Sequence, residues 1–301
     1  MLILSILRSV LDFAPPLILA ALGGVVSERA GVVNIGLEGM MRVGAFFACW
    51  AAFATGSAWA GVAAGIAAGA ALAAVHAFVS IHGRADQVVS GIALNLVALG
   101  LVTFLLEAIF GTTGTAPVST LPELPTLFGR SPYTFLALAA PFALWALLRF
   151  TVPGLRLAAV GEHPHAATTL GVSVARVRWA AVLAGGALAG LGGSALSVAI
   201  LHRFDNKMPA GLGFMALAAV VFGKWTPLGA LFASLFFALG NASVDAVRSA
   251  MPPSGPLADL HLDGILLAAP YLLTLLLLGG FVGRAVPPAA NGVPFDPEAK
   301  H

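Results

Sequence analysis

Three polar side chains interrupt the apolar stretch "VVNIGLEGMMR" at residues 32–42: Asn34, Glu38 and Arg42. Steps of four residues place them on roughly one face of a helix. Glu38 lies N-terminal to Arg42, the order that favours an ion pair at this spacing. Either the charged pair fixes helix packing, or the three side chains form a polar stripe along a path for a solute. We favour structural pairing for Glu38 and Arg42, and both interpretations stay open for Asn34.

A further polar side chain, Asn95, lies in the middle of the apolar segment "GIALNLVAL". Such an amide either hydrogen-bonds to a passing solute or bridges two helices. Phe46, Trp50 and Phe214 have ring faces on which a planar base can stack, although aromatic residues in apolar segments also pack in the core or face lipid. These four residues are retained with Asn34 as candidate contacts for a solute.

The composition of the chain identifies the environment of these residues. Of the 301 residues, 59% are hydrophobic and 9% are charged, and the mean hydropathy is +0.97. Soluble domains carry roughly 25% charged residues, so this chain cannot cover a water-facing surface and is an integral membrane protein. The net charge of +2, without a basic patch interleaved with aromatic residues, argues against nucleic acid as a partner.

Apolar runs along the chain predict an all-α, polytopic transmembrane helix bundle of about 8–10 spans. The runs fall at residues 10–26, 36–56, 59–80, 88–107, 133–150, 178–200, 209–223, 226–246 and 263–283. The run 209–223 covers only about 22 Å at the rise of a helix, against a hydrocarbon core of about 30 Å. We therefore predict a short or re-entrant helix there, which must be buried in protein or line a cavity.

Basic residues in the loops predict the orientation of the chain. The richer set of loops, assigned to the cytoplasm, carries Arg29, Arg84, Arg149, Arg156, Arg176, Arg178, Lys224, Arg284 and Lys300. The other set carries Arg8, Arg130, Arg203, Lys207 and Arg248. Residues 1–285 then form the transmembrane domain, with the N-terminus outside. Residues 286–301 lack periodicity and are predicted to be a disordered cytoplasmic tail.

A long cytoplasmic loop at about residues 156–176 contains the sequence "GEHPHAATTLG". Pro164 suits the first turn of a helix and Gly171 suits a C-terminal cap. The loop therefore predicts a short helix from His163 to Gly171 that presents side chains to water or to a partner protein.

Several chemistries are missing from the sequence. The stretch "FGKW" at 222–225 lacks the Ser or Thr and the upstream glycine of a phosphate-binding loop, so ATP hydrolysis is not expected on this chain. No cluster of His and Cys has the spacing of a metal site, and no nucleophile elbow is present. The sequence thus indicates neither an enzyme nor a metalloprotein.

Four longer stretches carry a family resemblance. They are "GVVNIGLEGMMRVGAFFA" at 31–48, "DQVVSGIALNLVALGL" at 86–101, "RLAAVGEHPHAATTLGVSVARVRWAAVLAGGALAGLGGS" at 156–194 and "GLGFMALAAVVFGKWTPLGALFASLFFALGN" at 211–241. Together they resemble the permease subunits of bacterial ABC importers for simple sugars and nucleosides. The shorter permease of nucleoside systems with a basic-membrane-protein-type binding lipoprotein is the nearest likeness, and it extends over nearly the whole chain.

This resemblance implies one half of a heterodimeric translocation pore in the bacterial inner membrane. A second homologous permease would supply the other half, a cytoplasmic ABC ATPase would bind ATP, and an extracytoplasmic substrate-binding lipoprotein would deliver the cargo. The loop then resembles the helix that couples the permease to the ATPase. The matching residues are Gly161, Glu162, His163, Pro164, Ala166, Ala167 and Gly171. His163 stands where the family more often has Asn.

The function implied is ATP-driven import of nucleosides, with import of a simple sugar such as ribose as the alternative. A different class of protein, the ion-coupled secondary transporter, would show ionisable groups at mid-depth and repeat symmetry with broken helices. The sequence has few such acids and no clear internal repeat. A membrane-embedded enzyme is the third class, and the sequence offers no catalytic constellation for it.

Overall fold

The computed structural model describes residues 2–118, 121–250 and 285–296. This part of the chain is almost entirely helical. The helices are α1 (Leu2–Arg29), α2 (Leu37–Thr55), α3 (Ala58–Ala77), α4 (Gln87–Phe110), α5 (Pro132–Phe150), α6 (Val152–Glu162), α7 (Pro164–Thr169), α8 (Val174–Ser194), α9 (Leu212–Phe222) and α10 (Pro227–Ala250). Two π-helical segments, Phe78–His82 and Ala195–Ile200, continue α3 and α8.

Seven of these helices are long and apolar enough to cross a membrane. They are α1, α2, α3, α4, α5, α8 and α10, which confirms the predicted polytopic bundle. The predicted ninth run, 263–283, lies outside the described residues. Helix α9 has 11 residues, about 16 Å at the rise of a helix, so the run 209–223 forms the short helix that its length predicts.

The core of the bundle is built from α1, α2, α3 and α8, which approach one another through glycines. A Cβ atom on Gly69 would lie 2.3 Å from the carbonyl oxygen of Gly186, and one on Gly44 would lie 2.6 Å from the Cα atom of Gly190. A Cβ atom on Gly23 would lie 2.4 Å from the carbonyl oxygen of Gly185. In lipid, helices associate by such close packing of small residues, so these glycines fix the arrangement of the four central helices.

Among the described residues, Arg8 and Arg130 of one set lie near the start of α1, and Arg29 of the other set lies at its end. Helix α1 runs from one end to the other, and at its start Arg130 donates to the Asp12 carboxylate and to the Arg8 carbonyl. At the end of α1, Arg29 donates to the Trp225 carbonyl at 3.4 Å. We refer to this second end as the predicted cytoplasmic end.

The segment 285–296 departs from the prediction of a disordered tail. Its backbone bonds to the bundle at several points: Ala290 N–H donates to the Gly161 carbonyl at 2.8 Å, and the Val293 carbonyl accepts from Arg178 at 3.1 Å. Asp296 forms an ion pair with Arg84 at 3.2 Å. The segment has no periodicity because it is an irregular strap with a turn at residues 289–292. Contacts with distant residues hold it in place.

Candidate functional site

The chain between α1 and α2 is not helical, and it passes through the interior of the bundle. Val32 and Asn34 are buried there, and Gly36 packs against Gly91 of α4. Backbone groups in the hydrocarbon region of a membrane need partners within the protein, because no water is available to them. The partners of the 32–36 segment are therefore the side chains that give it its shape.

Polar side chains from α1, α3 and α4 provide these partners. Ser27 Oγ donates to the Val32 carbonyl at 2.9 Å, and Gln87 Oε1 accepts the Val33 N–H at 2.7 Å. His76 Nε2 lies 2.9 Å from the Val33 carbonyl oxygen, while its Nδ1 lies 3.0 Å from Ser90 Oγ. Because His76 Nε2 faces a carbonyl, it carries the proton, and Nδ1 accepts from the serine.

Asn95 fastens the end of this segment to α4. Its Nδ2 donates to the Ile35 carbonyl at 3.0 Å, and its Oδ1 accepts the Gly39 N–H at 2.8 Å. The second bond satisfies one of the orphan donors at the N-terminus of α2. Of the two interpretations of Asn95, the structure displays the bridge between elements, and contact with a solute stays a prediction.

Asn34 is fully buried beneath this arrangement. Its Nδ2 lies 3.5 Å from the Met40 sulfur, a weak acceptor. Its Oδ1 has no hydrogen-bond partner among the described residues. In this conformation Asn34 does not reach an open surface, and a solute would contact it only after the segment moves.

Glu38 has partners that the sequence spacing does not indicate. Its Oε1 accepts the Gly211 N–H at 2.9 Å and its Oε2 accepts the Gly213 N–H at 2.8 Å. The carboxylate thus caps the N-terminus of α9, where the helix dipole favours a negative charge. The ion pairs of the described residues do not include the expected Glu38–Arg42 pair. The backbone donors of a neighbouring helix end replace the guanidinium as direct partners.

Arg42 points instead to the loop between α8 and α9. Its Nη1 donates to the Asn206 carbonyl. The Asn206 side chain donates to Thr103 Oγ1 at 3.0 Å and to the Thr113 carbonyl at 3.1 Å. These three half-buried side chains, Arg42, Thr103 and Asn206, form a polar patch that joins α2, α4 and the 201–211 loop. We call it the Arg42 patch.

Sequence reasoning missed two members of this patch. Thr103 is the polar residue of the apolar stretch "GLVTFLL", and Asn206 sits in the loop sequence "HRFDNKMP". An isolated threonine in an apolar helix gives a weak signal, since it often bonds to its own backbone. Thr103 does so with the Leu99 carbonyl at 2.8 Å.

The three aromatic candidates fall into two groups. Phe46 is 1% exposed and makes edge contacts with Phe47 and Phe204, each with ring centroids 5.4 Å apart. It is a core residue, contrary to its selection as a candidate contact. Trp50 and Phe214 are 38% and 49% exposed, so their rings are open to lipid, to a partner chain or to a solute.

The predicted helix of the long loop is present as α7, and it lies at the predicted cytoplasmic end of the bundle. His163 precedes it, and Gly171 follows it with a φ of +77°, the left-handed conformation of a helix terminus. A Cβ atom on Gly161 would lie 2.0 Å from the Arg29 carbonyl oxygen. Glu162 Oε2 accepts the Ala289 N–H at 3.2 Å.

The surface of α7 is open on its outer side. Ala167 is buried against the bundle, whereas His163, Ala166 and Leu170 are exposed, Leu170 to 83%. The loop thus presents a small surface that is rigidly attached to the end of α1. The part of the chain that the structure describes contains no group of three His, Cys, Asp or Glu residues able to hold a metal ion.

Comparisons with known proteins place this arrangement in a family. Residues 6–278 match the family described as the branched-chain amino acid transport system / permease component. The chain is 43% identical to the guanosine ABC transporter permease protein NupQ of Bacillus subtilis, over 97% of each chain. It is 37% identical to the nucleoside ABC transporter permease protein NupC of Lactococcus lactis subsp. cremoris, over 96% of this chain and 95% of that one.

A third relative is named for a different cargo. TsgC13 of Haloferax volcanii, a permease protein named for glucose ABC transport, is 39% identical over 93% of this chain and 92% of its own.

Proposed function

Since the chain belongs to the family of the branched-chain amino acid transport system / permease component, and is thus a multi-pass membrane transport subunit, we propose that it forms half of the pore of an ATP-driven nucleoside importer. Nucleosides are proposed as the cargo because the chain is 43% and 37% identical, over nearly its whole length, to permeases named for guanosine and for nucleosides. A simple sugar is the second candidate, because a relative named for glucose transport is 39% identical.

The Arg42 patch is the proposed stretch of the translocation path. A nucleoside offers ribose hydroxyls and base edges, and these match the donors and acceptors of Arg42, Thr103 and Asn206. Half-buried groups that already have protein partners give weak, transient contacts, which suits transport because a tightly bound cargo leaves slowly. Phe214 and Trp50 are the proposed platforms for the base, since their rings are exposed.

Three partner proteins are proposed, one within the membrane and one at each of its faces. A cytoplasmic ABC ATPase, which binds the ATP, contacts the exposed side of α7. A second homologous permease completes the pore, and an extracytoplasmic substrate-binding lipoprotein delivers the cargo. The open side of α7, with Leu170 83% exposed, supports the first of these contacts.

Contacts within the chain link the surface proposed for the ATPase to the proposed translocation path. Gly161 lies in the loop at about residues 156–176, which we call the coupling loop. This glycine is packed against the Arg29 carbonyl, and residue 29 leads into the 32–36 segment. Asn95 ties that segment to α4, and Glu38 ties the start of α2 to α9. A displacement of α7 by the ATPase therefore reaches both helices that hold the Arg42 patch.

Reconstituted transport tests the proposal. Proteoliposomes that contain this chain, its second permease and its ATPase, with the binding lipoprotein outside, should accumulate radiolabelled guanosine only when ATP is enclosed. Ribose and glucose in parallel separate the two cargo classes. Accumulation by this chain alone under a proton gradient, without ATP, would establish a secondary transporter and refute the proposal.

A variant pair then tests the path. Thr103→Val keeps the size of the side chain and removes the hydroxyl that bonds to Asn206, so it should raise the KM for guanosine. Thr55→Val is the control, because Thr55 is exposed at the end of α2 and its hydroxyl bonds locally to the Ala51 carbonyl. An unchanged KM in both variants would remove Thr103 from the path.

A further inference from the structure

An apolar groove on the flank of the bundle carries two arginines at its rim. It lies between α5, α6 and α8 and encloses about 660 Å³. Apolar side chains form its walls: Val26, Leu144, Leu147, Leu157, Ala184 and Leu188. Arg156 of α6 and Arg176 of α8 line its predicted cytoplasmic end, beside Ser173. The groove is thus polar at one end and apolar along the rest of its length.

The length of the groove matches one leaflet of a bilayer. Arg176 and Leu188 are both on α8, twelve residues apart, which is about 18 Å along the helix. Half of the hydrocarbon core is about 15 Å. A hydrocarbon chain of a ligand that enters beside Arg176 and follows α8 to Leu188 therefore crosses a whole leaflet in contact with apolar walls.

The two arginines are available to a ligand. Both are exposed, and neither belongs to an ion pair of the described residues. By contrast, the buried Arg178 of the same helix uses its guanidinium on the Ala30 and Val293 carbonyls. A planar guanidinium presents paired N–H donors that match the oxygens of a phosphate. Arginines are common at this boundary of any membrane protein, but a boundary preference does not explain the apolar groove that both of them flank.

We propose that the groove is a binding site for an anionic phospholipid. The headgroup phosphate lies between Arg156 and Arg176, with Ser173 as a further donor, and an acyl chain follows α8 between Leu144 and Leu188. Basic pockets between membrane helices on the cytoplasmic side are suited to anionic headgroups. The site is separate from the Arg42 patch, and its position beside the coupling loop lets bound lipid brace α6 against α8.

Lipid retention measures the site directly. The full chain, purified with its partner subunits in a mild detergent, is incubated with equal amounts of phosphatidylglycerol and phosphatidylcholine of the same acyl chains, and bound lipid is quantified by native mass spectrometry. Phosphatidylglycerol should be retained in preference. Arg156→Gln and Arg176→Gln should each lower that preference about fivefold. Arg149→Gln, at an exposed arginine of the same end outside the groove, should leave it unchanged.

A second variant separates the groove from the charges. Ala184→Trp fills the apolar walls and leaves both arginines in place, so it should abolish retention of phosphatidylglycerol. Ala63→Trp, on the exposed side of α3, is its control. Equal retention of the two lipids by the unmodified chain, or an unchanged preference in the double Gln variant, would overturn the proposal.

A protein occupant is distinguished by cross-linking. Cys49 is the single cysteine of the chain, so a Cys49→Ala background with Leu147→Cys carries one reactive thiol in the groove. Reaction with a lipid-soluble maleimide in the assembled transporter is expected. Protection of this thiol, with cross-linking to the second permease or to the ATPase, would show that a subunit covers the groove and would overturn the lipid assignment.

Discussion

Gly213 donates its backbone N–H to the Glu38 carboxylate at 2.8 Å, and a Cβ atom on Gly213 would lie 2.4 Å from the Glu38 Cα atom. The start of α9 is therefore both bonded to α2 and packed against its backbone. The carboxylate that looks from the sequence like half of an ion pair is instead the N-terminal cap of a helix 173 residues further along the chain.

Gly213→Ala should destabilise the transporter, because the methyl group has no space between α9 and α2. Overpacking of this kind costs about 1–3 kcal/mol. Thermal unfolding of the detergent-solubilised complex measures it as a lower Tm. Gly100→Ala is the matched control: Gly100 lies within α4 with nothing within 4 Å of its added Cβ atom, so alanine there should be neutral or stabilising. Equal Tm values for the two variants would contradict the packing.

Glu38→Ala should leave the N–H groups of Gly211 and Gly213 without their acceptor in the interior of the bundle. A buried donor left unsatisfied costs about 1–3 kcal/mol. Glu38→Gln keeps one acceptor oxygen and should lie between the alanine variant and the original chain in thermal unfolding. Glu107→Gln, at an exposed position of α4, should not change the Tm. If Glu38→Gln behaved like the original chain, the negative charge at the helix end would be unimportant.

Asn95→Ala removes both anchors of the 35–39 backbone and should lower Tm and the maximal rate of guanosine uptake together. Asn95→Asp retains an acceptor for Gly39 but places an oxygen against the Ile35 carbonyl, so it should not rescue the protein fully. The uptake assay distinguishes the structural role from contact with cargo. A raised KM with an unchanged Tm would mean that Asn95 acts on the cargo rather than on the backbone.

Arg178→Gln should destabilise the protein far more than Arg84→Gln. Arg178 is buried, and its guanidinium donates to the Ala30 carbonyl at 3.2 Å and to the Val293 carbonyl at 3.1 Å. Its loss leaves the carbonyl of the buried Ala30 unpaired, at a cost of about 1–3 kcal/mol. The Arg84–Asp296 pair is roughly half exposed, and such pairs contribute about 0–1 kcal/mol. Thermal unfolding of both variants compares them, and a larger effect for Arg84→Gln would contradict this role of the strap.

Asp205 should make the 201–211 loop sensitive to acid. The Lys207 N–H, followed by the Thr115 hydroxyl, donates to its carboxylate, and these bonds lower its pKa below the ordinary value. A carboxyl with a depressed pKa stabilises the folded loop at pH values above the unfolded pKa, and this contribution is lost as the pH falls through the folded pKa. A spin label at residue 203 in a Cys49→Ala background reports the loop.

The label should become more mobile as the pH falls below about 4, the ordinary pKa of an aspartate. In Asp205→Asn it should already be mobile at pH 7. A label whose mobility is the same in both chains at every pH would show that the loop does not depend on this carboxylate.

The sequence by itself determined the environment, the class of fold and the family of the protein. Because 59% of the residues are hydrophobic and only 9% are charged, a membrane is the only environment that suits the surface of this chain. The short run at 209–223 and the Pro164 and Gly171 signals located α9 and α7, since run length and local dihedral preference do not depend on distant contacts.

The tertiary structure decided which partner each polar group takes. The spacing within one helix predicted Arg42 as the partner of Glu38. Instead, Glu38 accepts hydrogen bonds from the backbone at the start of α9, and Arg42 donates to the Asn206 carbonyl. Residues 285–296 lack periodicity, yet Gly161 and Arg178 hold them in place. The physical reason is common to both cases: inside a membrane protein every polar group must find a partner within the fold, and these partners lie far away in sequence, where no local pattern records them.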